Sequence, residues 1–130
     1  MPTIANQTLK LQVTGDNVTI DVTYNANFSA FERFLAQGGL RFRERIRVIG
    51  DDAGTATDMI LHTFPPQNIS VTSGTTPLTV PRSRSLTVTR ASLQEDVGSD
   101  DDEIECTIEI IPLDLPEVAT ATTPQKVLAG

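Results

Sequence analysis

The stretch TLKLQVTGDNVTIDVTYN, residues 8–25, alternates apolar and polar residues almost without a break. Leu9, Leu11 and Val13 interleave with Lys10, Gln12 and Thr14. After Gly15-Asp16, Val18, Ile20, Val22 and Tyr24 interleave with Thr19, Asp21 and Thr23. Side chains on a strand point to opposite faces with a period of two, so each run has one dry face and one wet face. A glycine between two such runs supplies the positive φ that a tight hairpin needs. One wet face per strand is the pattern of an antiparallel sheet.

The same period recurs downstream. In LRFRERIRVIG, Leu40, Phe42, Ile46 and Val48 share one face, and Arg41, Arg43, Arg45 and Arg47 share the other. Glu44 falls on the apolar face, where a buried carboxylate needs a partner. DMILHTF reads as a further strand closed by Pro65-Pro66. ISV (69–71), LTV (78–80) and SLTVTR (85–90) follow as short strands. In EIECTIEII, Ile104, Cys106, Ile108 and Ile110 face inward and Glu103, Glu105, Thr107 and Glu109 face outward. Seven or eight strands with turn signals roughly every 8–12 residues predict an all-β antiparallel β-sandwich. The strand pattern resembles immunoglobulin-like and C2-like sandwiches in general terms, without a Cys…Trp…Cys signature or a C2 motif.

One helix is expected, near residues 29–37. Ser29 followed three residues later by Glu32 forms a capping-box pattern, and Gly38-Gly39 supplies the stop. Phe31, Phe34 and Leu35 recur at helical spacing, and their expected role is to plug one end of the sandwich core. Residues 1–112 are read as a single domain. Residues 113–130 lack periodicity and hold two further prolines, so a weakly ordered C-terminal tail is expected.

Composition narrows the function. The 130 residues carry a formal net charge of −7, which opposes binding to a phosphate backbone, so no nucleic acid is expected. No apolar run approaches the roughly 18 residues of a membrane span. The start MPTIANQTLK lacks the charged and apolar regions of a signal peptide, so a cytoplasmic location is expected. Cys106 is the only cysteine, which excludes an intramolecular disulfide and a Cys-rich zinc site, and its apolar neighbours make it a core residue. Four Asn-x-Ser/Thr triplets, at Asn6, Asn17, Asn27 and Asn68, match a glycosylation acceptor but are discounted without a signal peptide.

His62, the only histidine, lies in a strand beside Ile60 and Phe64, and no nucleophile elbow, zincin motif or phosphate-binding loop is present. The chain is therefore read as non-catalytic, a module for protein interaction or self-assembly, with a protein partner or a second copy as its target and no certain cofactor. The arginine stripe Arg41, Arg43, Arg45 and Arg47 is its candidate interaction surface. Cross-strand pairing of that stripe with Glu103, Glu105 and Glu109 is the competing expectation. The alternative function is calcium binding. Calcium takes six to eight oxygen ligands, and two carboxylate loops, at 51–58 and 95–103, supply Asp51, Asp52, Glu95, Asp96, Asp100 and Asp102 as candidate ligands. Neither loop has EF-hand spacing. If LTVPRSRSLTVTR is one strand, simple alternation of direction puts these two loops at opposite ends of the sandwich; if Pro81 to Arg84 forms a turn, as proline favours, the extra reversal brings them to the same end. An enzyme is the third reading.

Overall fold

A computed structural model describes residues 2–51, 59–93, 102–113 and 119–128, with Asp51, Met59 and Asp102 described in the backbone only. Strand β1 (Thr3–Thr14) and strand β2 (Asn17–Phe28) form the expected hairpin. Gly15 sits at φ +59, a region that costs glycine nothing. A bulge falls between Ala5 and Thr8, where Asn6 takes φ 56. Asn is among the few side chains that tolerate that region. β2 leads into helix α1 (Ala30–Gln37), then into strand β3 (Phe42–Asp51). β4 (Met59–Thr63), β5 (Gln67–Ile69) and β6 (Leu78–Thr89) follow, with a 3₁₀ turn at Arg90–Leu93. β7 (Asp102–Pro112), β8 (Ala119–Thr122) and β9 (Lys126–Leu128) complete the order.

These strands form two antiparallel sheets, the all-β sandwich expected. A three-stranded sheet has the order β1-β2-β6. A six-stranded sheet has the order β4-β3-β7-β8, with β5 also pairing β3 and β9 also pairing β7. The central strands bury their dry faces against each other. Val18, Ile20, Val22, Tyr24, Ala26 and Phe28 of β2 are closed off from solvent, as are Phe42, Ile46 and Val48 of β3 and Ile104, Cys106, Ile108 and Ile110 of β7. Each such aliphatic side chain contributes about 1.5–3 kcal/mol on burial. Phe28 and Phe42 meet edge to face across the layers, 5.0 Å between centroids.

Two expectations are corrected here. The segment read as a C-terminal tail supplies β8 and β9, both laid on β7. These strands are too short to show a period, yet with the link between them they bury Ala119, Thr123 and Leu128. Thr123 latches them: its N–H donates to the Cys106 carbonyl and its Oγ1 accepts from the Cys106 N–H, both at 2.8 Å. The second correction concerns direction. LTVPRSRSLTVT is one strand, but Pro65-Pro66 does not turn the chain. β4 and β5 both run antiparallel to β3, pairing Val48 with His62 and Phe42 with Ile69. They are one strand interrupted by two residues that cannot donate a ladder hydrogen bond. With that reversal removed, the C-terminal end of β3 and the N-terminal end of β7 lie together, and Asp51 pairs with Glu103.

Cys106 is in the core, and burial, with a smaller push from Glu105, raises its thiol to about 12. Native protein is expected to leave a disulfide reagent unreacted at about pH 8, where a free thiol is partly ionised. The sign of the pH dependence follows. Folding with a raised thiol contributes stability in full below the unfolded value, and that contribution is lost as pH rises toward about 12. Thermal melts of wild type and Cys106→Ala across that range check it, since the variant should lose less.

Candidate interaction face

A buried polar cluster between the sheets takes up three of the charged side chains. Glu44 has 0% exposure on the inner face of β3. The Tyr24 hydroxyl donates to its Oε2, Arg82 Nε donates to the same oxygen at 3.0 Å, and Arg84 Nη1 donates to Oε1. Arg82 also reaches Gln67 Oε1 at 3.0 Å. Arg84 reaches the Pro65 carbonyl at 2.8 Å and lies 5.8 Å over the Phe64 ring. Burial pushes the Tyr24 phenol well above its ordinary range, and its bond to the Glu44 carboxylate adds to that. Burial alone would lower Arg82, but the bond and charge of Glu44 outweigh it and hold the guanidinium above its usual value. This cluster is a clamp between the sheets. Its signal was in the sequence: Arg82 and Arg84 interrupt the inward series Leu78, Val80, Leu86, Val88 of β6, as Glu44 interrupts that of β3.

The arginine stripe is largely spent inside the molecule. β3 and β7 are neighbours in register, and Arg45 grips Glu109 with two bonds, at 3.1 and 2.7 Å. Arg47 lies 3.8 Å from the same carboxylate. Arg43 donates to Asn68 Oδ1 at 3.5 Å, a contact at the limit of a hydrogen bond. Arg41 is exposed. The cross-strand pairs expected from the alternation are present for half of the stripe.

Of the candidate calcium ligands, Asp52, Glu95, Asp96 and Asp100 lie outside the described residues. Asp51 closes β3 and Asp102 opens β7, so the strand ends that border the two candidate loops lie side by side. Among the described residues, no group of three or more His, Cys, Asp or Glu side chains is placed to hold a metal ion.

His62 Nε2 lies 2.8 Å from Ser92 Oγ, and the Ser92 hydroxyl donates to the Thr89 carbonyl at 2.7 Å. That hydroxyl proton is already committed, so Ser92 accepts from the imidazole and ties β4 to the end of β6.

Helix α1 departs furthest from expectation. Its N-terminus carries the complete capping box, Ser29 Oγ accepting from the Glu32 N–H at 3.1 Å and Glu32 Oε1 accepting from the Ser29 N–H at 2.7 Å. The core-plug role expected for Phe31 and Phe34 is overturned: they are 66% and 67% exposed, with rings stacked 6.5 Å apart. Glu32 and Arg33 are buried in their place. The cause is the loop after β5. Arg33 Nε, Nη1 and Nη2 donate to the carbonyls of Thr72, Thr76 and Ser73 at 2.9, 2.8 and 2.6 Å. A guanidinium that satisfies three carbonyls holds one helix face inward, and Phe31 and Phe34 are left on the other. Beside Phe34 the surface opens into a hollow of about 540 Å³, lined by Phe34, Leu35, Gln37, Gly38, Gly39 and Leu40.

Fold and surface together define a β-sandwich carrying a helix whose aromatic side faces solvent. No protein-family model matches the chain, and comparison with the curated proteins and with the solved structures returns no match.

Proposed function

We propose that this protein is a non-catalytic interaction module that docks a protein through the outer face of α1. One observation carries the reading: two adjacent phenylalanines, stacked and two-thirds exposed, on a helix that buries its charged residues. Large apolar side chains clustered on a surface raise the free energy in water, and a partner that covers them lowers it. Aromatic anchors of this kind dominate binding in many interfaces. The arginine stripe is a weaker candidate, because Arg45 and Arg47 already answer Glu109.

A photo-crosslinking residue placed at position 34 tests the reading, with position 87 on the outer face of β6 as control. A discrete adduct from position 34 alone, lost when Phe31→Ser is added, supports docking at α1. Equal adducts from both positions, or none from either, would sink it.

Calcium binding is a second reading, favoured by the pairing of Asp51 with Glu103, which sets side by side the strand ends that border the two acid-rich segments. Ligand binding to the folded state alone raises its melting temperature. A rise with millimolar calcium over chelator is expected on that reading, and an unchanged melt removes it.

A further inference from the structure

We infer that the partner covering α1 is a second copy of this chain, packed antiparallel about a two-fold axis near Phe34; the inference rests on α1 being the docking face. A two-fold contact puts the same patch on both sides, so that patch must carry both a protrusion and its recess. α1 carries both. Phe31 projects from its first turn, 66% exposed, and the hollow lined by Phe34, Leu35 and Leu40 opens past its last turn.

The spacing fits reciprocal insertion. An axis through Phe34 sets position 31 of one helix opposite position 37 of the other, each about 4.5 Å from the axis along the helix. Phe31 then faces Gln37, Gly38 and Gly39, where the two glycines leave the recess without side chains. A Cβ added to Gly39 would meet nothing within 4 Å, and one added to Gly38 would meet only carbonyls of its own helix. Space for a ring lies above both.

Charge selects this face. Two copies of a chain with net charge −7 repel, and juxtaposed like charges oppose a contact. The exposed residues Ser29, Phe31, Phe34, Gln37, Gly38 and Gly39 carry no charge, because the helix's two charged residues, Glu32 and Arg33, are both buried. A copy docked here meets no carboxylate from this helix.

Area sets the strength. Two phenylalanines, two-thirds exposed, present roughly 200–300 Å² per copy, against about 800 Å² per partner in a stable complex. The dimer is therefore weak and concentration-dependent.

Sedimentation of the full chain from about 0.02 to 1 mM tests this. Wild type should move from monomer toward dimer. Phe31→Ser removes the protrusion and Gly38→Leu fills the recess at a φ of −80 that any residue accepts. Each should weaken dimerisation at least tenfold. An equal mixture of the two variants should recover part of it, since an intact Phe31 then meets an open recess. Phe31→Arg, a surface change, serves as a second protrusion variant if Gly38→Leu fails to fold by circular dichroism. A monomeric wild type, a dimer indifferent to both Phe31 variants, or a mixture no stronger than its components would overturn the inference. A monomeric wild type whose position 34 still crosslinks to a different protein overturns self-docking alone. Failure of both experiments overturns the interaction reading as well.

Discussion

Glu44→Ala is expected to lower the unfolding free energy by about 3–5 kcal/mol, the usual loss when one partner of a buried ion cluster is removed. The carboxylate is fully enclosed and answers three donors: Tyr24, Arg82 and Arg84. The arginine side chains are only 17% and 10% exposed. Without Glu44, the Tyr24 phenol loses its acceptor and the two guanidinium charges keep only neutral ones, Gln67 Oε1 and the Pro65 carbonyl. Urea unfolding should show a lower midpoint at unchanged slope. Glu44→Gln keeps the shape and one acceptor while removing the charge, so it should fall between wild type and Ala. The converse also follows. Replacing Glu44, Arg82 and Arg84 together by Leu or Met, with Tyr24→Phe, should cost far less than Glu44→Ala alone, because no orphaned group remains. A loss under about 1 kcal/mol for Glu44→Ala would show that the clamp is not a stability determinant.

Arg33→Ala is the second large effect, at about 2–3 kcal/mol, since charge-assisted hydrogen bonds to three carbonyls disappear while those carbonyls regain water. The loop approaches so closely that a Cβ on Gly74 would overlap the Arg33 guanidinium. Gly74→Ala should therefore expel that side chain and cost a similar amount, although φ at this position is not in the left-handed region. A double-mutant cycle separates this cause from backbone entropy. In the Arg33→Ala background, Gly74→Ala should be nearly neutral, because nothing remains for the methyl group to strike. Strict additivity of the two changes would refute the close-approach explanation. The same variants bear on docking, because Arg33 is what orients the helix with Phe31 and Phe34 outward.

Much of the architecture was legible from the residues. The β1–β2 hairpin, the capping box at Ser29, the inward Cys106 and the need of Glu44 for a partner all follow from periods and local chemistry. The strand β8 was not legible, because ATAT has no apolar period and is held by pairing with β7 and by the Thr123 latch. Pro65-Pro66 read as a turn because proline usually punctuates strands. Here it interrupts a ladder without reversing it, and the carbonyl it leaves free is taken by Arg84. The candidate face was misread for a related reason. Phe31 and Phe34 at helical spacing imply a core face, and only a loop about forty residues downstream, closing on Arg33, turned that face to solvent.

The sequence by itself determined which side of each strand is dry, because the two-residue period is built into the backbone and needs no distant partner. The tertiary structure alone decided which charges are spent and which surface is left over. Arg45 meets Glu109 across 64 residues of chain, Glu44 finds its arginines on the opposite sheet, and Asp51 comes beside Glu103. Such contacts depend on register and strand direction, which are settled when sheets pair and pack, so alternation can show that a partner is required without showing which residue supplies it.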